Sequence, residues 1–156
     1  MLNWHRVVAR KQLPCLVGLL FSGLALGCGD PSVLNLPVAG RITVGGEPLT
    51  GGTATVEFRA DKSRGNQTPH APVGHVNADG TYTLMTSGKE GAPPGWYVVI
   101  VAAYERPKDD RRHNFTPARN YRLLVNRKYG DPKTSGLKIE VVRNPAPGHY
   151  DLKLTP

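Results

Sequence analysis

Short runs of alternating apolar and polar residues, closely punctuated by turns, predict an all-β protein: an antiparallel β-sandwich of about seven strands, preceded by a signal peptide. Three observations carry this prediction. From Val38 onward apolar residues recur with a period of two, the periodicity of a half-buried strand. Eighteen glycines and fourteen prolines fall in 156 residues, against two methionines and three phenylalanines, which suits turns better than long helices. No stretch carries an apolar helical stripe longer than about two turns.

The first element is a leader. Residues 1–11 hold His5, Arg6, Arg10 and Lys11, and the run from Leu13 to Leu26 is apolar apart from Ser22. That run is shorter than the about 20 residues a bilayer core requires. Small residues follow at Ala25 and Gly27. A basic start, an apolar middle and a small-residue end form the pattern of an export signal, so residues 1–27 are set aside as a signal peptide of lipoprotein type. Ala25-Leu26-Gly27 also suits an ordinary signal peptidase, which would release a soluble secreted protein, and an uncleaved anchor is the third reading. The run Leu24-Ala25-Leu26-Gly27-Cys28 is similar to a bacterial lipobox, in which the cysteine thiol takes a diacylglycerol before cleavage. Ala25 departs from that pattern, standing where leucine is usual. Cys28 would have no other cysteine to pair with after cleavage, and acylation renders a lone exported thiol inert. The lipidation site is therefore assigned to Cys28.

Residues 28–37 read as a tether, since Gly29 to Pro37 has two prolines and no sustained periodicity. An irregular first strand through Val33 and Leu34 is the competing reading. The sandwich is assigned to residues 38–156. Val38, Gly40, Ile42 and Val44 share one face, with Arg41 and Thr43 opposite, and Gly45-Gly46 turns the chain. Across Thr53 to Arg59, Ala54, Val56 and Phe58 point inward. Val73–Val76 and Thr81–Thr86 flank Asn77-Ala78-Asp79-Gly80 as a hairpin, with Tyr82 and Leu84 facing the core. Trp96 to Ala102 is apolar on both faces, as befits a central strand. Leu137, Ile139 and Val141 alternate with Lys138 and Glu140. After the turn Asn144 to Gly148, Tyr150, Leu152 and Leu154 alternate with Asp151 and Lys153.

The run Val38-Ala39-Gly40-Arg41-Ile42-Thr43-Val44-Gly45-Gly46-Glu47-Pro48-Leu49-Thr50-Gly51-Gly52-Thr53 resembles the opening of carboxypeptidase-regulatory-like domains. Asp79 to Leu84, Gly91 to Tyr97 and the run Lys128 to Leu137 are similar too, and together they resemble small planctomycete-type lipoproteins that carry such a domain. The resemblance implies a transthyretin-like sandwich. It also implies an accessory role, because in carboxypeptidases catalysis belongs to a separate zinc domain for which this chain has no room.

Candidate chemistry is sparse. His70 and His75 are five residues apart in a loop-to-strand region, not at the i, i+4 spacing of a helical zinc pair, and His113 and His149 stand apart, so no metal site is expected. No G-x-S-x-G elbow occurs, and Ser87 and Ser135 sit beside glycines in turns. Asp109 and Asp110 are flanked by Lys108, Arg111 and Arg112, a mixed-charge loop rather than an acid–base pair. Asn66 and Asn114 fit N-glycosylation sequons, a coincidence in a bacterial lipoprotein. The protein is accordingly expected to be no enzyme and to need no cofactor.

The formal charge is +8. Arg6, Arg10 and Lys11 supply three of these charges and residues 1–27 hold no acid, so the remainder carries +5. The segment from Glu105 to Asn126 is unusually long for a connection within a sandwich. It interleaves Arg106, Lys108, Arg111, Arg112, Arg119 and Arg122 with Phe115 and Tyr121. Arg111, Arg112, Arg119 and Arg122 are the candidate polyanion-binding residues, through charge and stacking. A solvated loop is the plainer reading. Among aromatics, Trp96, Tyr97, Tyr104 and Tyr121 form the cluster a ligand-binding module could expose, with Trp96 and Tyr97 assigned first to the core. The sequence thus predicts an exported, lipid-anchored protein of the cell membrane or outer membrane, carrying acyl chains (diacylglycerol and palmitate) on Cys28. It would act as a non-catalytic binding or structural module, in contact with the membrane, acidic glycan, anionic lipid or envelope proteins, but not nucleic acid. A soluble secreted glycan- or polyanion-binding module is the alternative.

Overall fold

A computed structural model describes residues 34–105 and 121–156, all within the compact unit Pro31–Pro156. Cys28, Arg111, Arg112, Arg119, Asp109, Asp110, His113 and Asn114 lie outside the described residues.

Among the described residues eleven strands form in chain order: β1 (Ala39–Val44), β2 (Glu47–Pro48), β3 (Thr53–Ala60), β4 (Val73–His75), β5 (Thr81–Thr83), β6 (Met85–Thr86), β7 (Lys89–Glu90), β8 (Gly95–Glu105), β9 (Arg122–Leu123), β10 (Lys138–Val141) and β11 (Leu152–Leu154). Four are two-residue pairings; the seven longer strands are the sandwich read from the sequence. One sheet runs β11-β1-β2 with β5 also on β1, and the other runs β10-β8-β3-β4-β6-β7 with β9 also on β8. The protein is an all-β sandwich.

Alternation decides the faces. Ala54, Val56 and Phe58 of β3 and Tyr97, Val99, Val101 and Ala103 of β8 are buried, and the antiparallel register pairs Phe58 with Val99 and Val56 with Val101. Val38 just before β1, Ile42 within it, Leu84, and Leu152 and Leu154 of β11 complete the same core from the opposite sheet. Burying so many branched side chains between two sheets is the main favourable term for this fold.

Two pairings depart from the sequence reading. β1 and β11 are parallel, with Ile42 opposite Leu152 and Val44 opposite Leu154, in an otherwise antiparallel fold. Period-two alternation fixes a strand's faces and is blind to the direction of its neighbour. The expected hairpin forms, with Val73 opposite Met85 and Val76 opposite Tyr82, but its second strand divides. Its turn forms, with Asn77 N–H donating to Thr81 O over 2.7 Å, Gly80 N–H to Asn77 O over 3.0 Å, and Gly80 at φ +82°. Beyond it the single strand expected over Thr81–Thr86 breaks at Leu84. β5 pairs with β1 in one sheet, whereas β6 pairs with β4 in the other. The chain thus turns a corner of the sandwich, and buried Tyr82 anchors it by donating its hydroxyl to Tyr150 O over 2.6 Å. Leu36, within the stretch expected as tether, is itself buried and bonds with Ala92 in both directions, at 2.8 and 2.9 Å.

Candidate ligand-contact surface

β8 presents two faces, and the outward one carries Trp96, Val98, Ile100, Ala102 and Tyr104 by alternation from buried Tyr97, Val99, Val101 and Ala103. At its C-terminal end the register pairs Tyr104 with Leu123 and Glu105 with Arg122. Paired residues share a face, as do residues two apart, so Tyr104, Leu123 and Tyr121 lie on the outer side, and Glu105 and Arg122 on the other. The Tyr104 and Tyr121 rings meet with centroids 5.0 Å apart and planes inclined at 48°. Together with Leu123 and Arg127 they line a shallow groove. Leu123 is 52% exposed.

Local sequence builds this edge. Gly52, at φ +67°, leads into β3 where Thr53 pairs with Tyr104, and a side chain there would strike the Tyr104 carbonyl and Leu124. Leu124 N–H donates to Ala103 O over 3.0 Å, holding the returning chain on β8. Asn126 then caps a 3-10 turn over Arg127–Gly130, its side-chain oxygen accepting from Lys128 N–H at 3.1 Å. That turn sets Arg127 beside the tyrosines. Tyr129 points inward from the same turn, where its hydroxyl accepts from Thr155 N–H at 2.9 Å. Hydrogen bonds from Thr155 hold the Tyr129 phenol below its usual pKa.

The aromatic residues prominent in the sequence separate into three environments. Tyr97 is core: it packs on Phe58 with centroids 5.7 Å apart and donates its hydroxyl to Pro93 O over 2.8 Å. Burial raises its pKa. Trp96 is half-buried on the outer face instead of in the core, with the Arg64 guanidinium 4.1 Å from its ring centroid. Only Tyr104 and Tyr121 come together. Of the four candidate arginines, Arg122 is described; it is 79% exposed and 3.8 Å from Glu105, on the face opposite the tyrosine groove. Arg127, just beyond the basic segment Glu105 to Asn126, is the cation at the groove. The signal that could have found it is its place directly after Asn126, a residue that caps turns.

The other polar candidates serve local structure. Asn66 is buried, donating to Trp96 O over 2.9 Å and accepting from Thr68 N–H over 3.0 Å, so its sequon is closed to modification. Ser135 is buried, its hydroxyl accepting from Leu137 N–H at 3.3 Å. Ser87 Oγ lies 3.4 Å from His70 Nδ1 in an exposed turn, outside the about 2.6–3.2 Å of a nucleophile–base hydrogen bond. His149 Nε2 meets Glu140 O at 2.8 Å. Among the described residues no three His, Cys, Asp or Glu side chains gather as metal ligands, and no helix is long and apolar enough to cross a membrane.

Among the described residues Asp61 is the most heavily used carboxylate. It caps the 3-10 turn Lys62–Arg64 by accepting from Ser63 N–H and its hydroxyl, and receives Lys138 Nζ at 3.1 Å. The Ser63 hydroxyl foremost, then Lys138, hold it below the usual carboxylate range.

No family model matches this chain, and no curated protein or solved structure is significantly similar to it.

Proposed function

We propose that the chain is a lipid-anchored envelope protein whose sandwich is a non-catalytic binding module, attached through diacylglycerol on Cys28. The observation that carries the binding role is the groove of Tyr104, Tyr121, Leu123 and Arg127. It combines two half-buried tyrosine rings with a guanidinium, while Asp61, Asn66, Asn126 and Ser135 serve turns and caps. The anchor rests on Leu24-Ala25-Leu26-Gly27-Cys28 and on Cys15 being the one other cysteine, which falls within the leader. Two acyl chains give stable membrane attachment where a single chain gives marginal binding. The resemblance to carboxypeptidase-regulatory-like domains agrees with an accessory role.

Mass spectrometry of the mature N-terminus tests the anchor. A diacylglyceryl mass on Cys28 is expected, and a free thiol there would return the reading to a soluble secreted module. The basic segment is tested separately. Replacing Arg111, Arg112, Arg119 and Arg122 with Ser should leave the fold intact and weaken retention on an anionic resin. Unchanged retention removes these arginines from the contact surface.

A further inference from the structure

We infer that the groove of Tyr104, Tyr121, Leu123 and Arg127 binds an acidic saccharide, a chain of pyranose rings bearing carboxylates. This deepens the binding-module reading and rests on it. Three features point to this class. The two tyrosine rings stand 5.0 Å apart and inclined at 48°, so they offer two non-coplanar faces to successive sugar rings rather than one flat slot. Aromatic faces take the C–H side of a pyranose, and the phenol hydroxyls suit its hydroxyl groups, donating and accepting as required. Arg127, the one arginine lining the groove among the described residues, matches one carboxylate through a paired fork of N–H donors.

Among the described residues the same inventory argues against other polyanions. A phosphate backbone demands several cations in series. The neighbouring Lys128 ammonium is already engaged, 4.8 Å from the Tyr129 ring centroid and 3.2 Å from Thr155 Oγ1. Leu123 alone offers too little apolar area to enter an acyl layer. Trp96, the other outward aromatic on β8, has its ring face occupied by Arg64.

The test uses the full chain in detergent, titrated by calorimetry with oligogalacturonate and with its methyl ester, the same sugar without charge. Oligogalacturonate should bind more tightly. Arg127→Ser should erase that preference, costing about tenfold for the acid and little for the ester. Tyr121→Ser should weaken both ligands by about tenfold, with thermal melting as the control for folding. If Tyr121→Ser melts early, Arg127→Ser decides alone. Equal binding of acid and ester, no binding of either, an unaffected Arg127→Ser variant, or binding confined to phosphatidylglycerol vesicles would each overturn the assignment. A diacylated Cys28 alongside failed saccharide binding would sink this inference and leave the anchored module standing. A free thiol alongside successful binding would do the reverse.

Discussion

Trp96 and Tyr104 sit on the same outward face of β8, near opposite ends of one strand, and meet opposite fates. Trp96 is closed. Arg64 lies over its ring, and its carbonyl accepts from both Asp61 N–H and Asn66 Nδ2 at 2.9 Å. Tyr104 is half-buried like Trp96, but against a second tyrosine inclined toward it and beside an exposed leucine. The difference lies in the segment packed against each strand end. Near Trp96 the chain supplies a capped turn whose Asp61 fixes Lys138 and approaches Arg64 at 3.9 Å. Near Tyr104 the described residues supply β9, a two-residue pairing. One strand therefore ends on a capped, ion-paired turn at one side and on a tyrosine pair at the other.

Both ends hang on the core between them, and the largest predicted effect breaks that support. Phe58 is fully buried and packs on Tyr97, so Phe58→Ala should cost about 3–5 kcal/mol, enough to threaten folding of a marginally stable domain. Urea denaturation measures it. A loss under about 1 kcal/mol would mean that the inner face of β8 does not depend on this packing. Next comes Tyr82→Phe, which keeps the ring and deletes the hydroxyl donated to Tyr150 O. Leaving that buried acceptor without its donor should cost about 1–3 kcal/mol. The strand-switching corner between β5 and β6 should then lose hydrogen-exchange protection before β3 and β8 do.

Much of this architecture is legible in the sequence, and the limits have physical causes. Ala54, Val56 and Phe58 can be assigned inward because the pleat forces alternation, and Tyr82 and Leu84 follow from the same rule. The partners of a strand are another matter. The parallel pairing of β11 with β1, and the division of Thr81–Thr86 between two sheets, arise from long-range packing that a period of two does not encode. The site is legible in composition only. Tyr104 and Tyr121 stand out as aromatics, yet their meeting depends on the register of β9 against β8. Arg127 enters through the turn that Asn126 caps, and Trp96 leaves the core because its face of β8 is the outer one.

Acid should separate the two ends of β8 further. The folded-state pKa of Asp61 is lowered, by the Ser63 hydroxyl first and Lys138 second, and that of Asp79 is lowered by Thr81. A depressed carboxylate contributes stability that is complete above its unfolded value of about 4 and is lost as pH falls through the lower folded value. Stability measured by urea midpoint should thus hold from neutral pH down to about 5 and decline below about 4. Asp61→Asn should lower the neutral value and flatten the acid decline, with Trp96 fluorescence changing while the Tyr104 groove keeps its ligand. An unchanged pH profile would remove Asp61 as the lock on the Trp96 end.

The smallest effect concerns neighbouring residues on opposite faces. Glu105 and Arg122 form an exposed pair at 3.8 Å, with side-chain exposures of 48% and 79%. A pair so open to water is screened and costs side-chain entropy to hold, so Glu105→Gln should change stability by less than about 1 kcal/mol. Its value lies in placement. The register that sets Glu105 against Arg122 also sets Tyr104 against Leu123, and alternation sends the two pairs to opposite sides of the sheet. Removing the Glu105 charge should therefore leave oligogalacturonate affinity within about twofold of the parent, since a solvent-screened charge across the sheet contributes little to the groove. Arg127→Ser on the groove side should cost about tenfold. A large response to Glu105→Gln, with a small one to Arg127→Ser, would move the contact surface to the other face of β9, where Arg122 and not the tyrosine pair would be its centre.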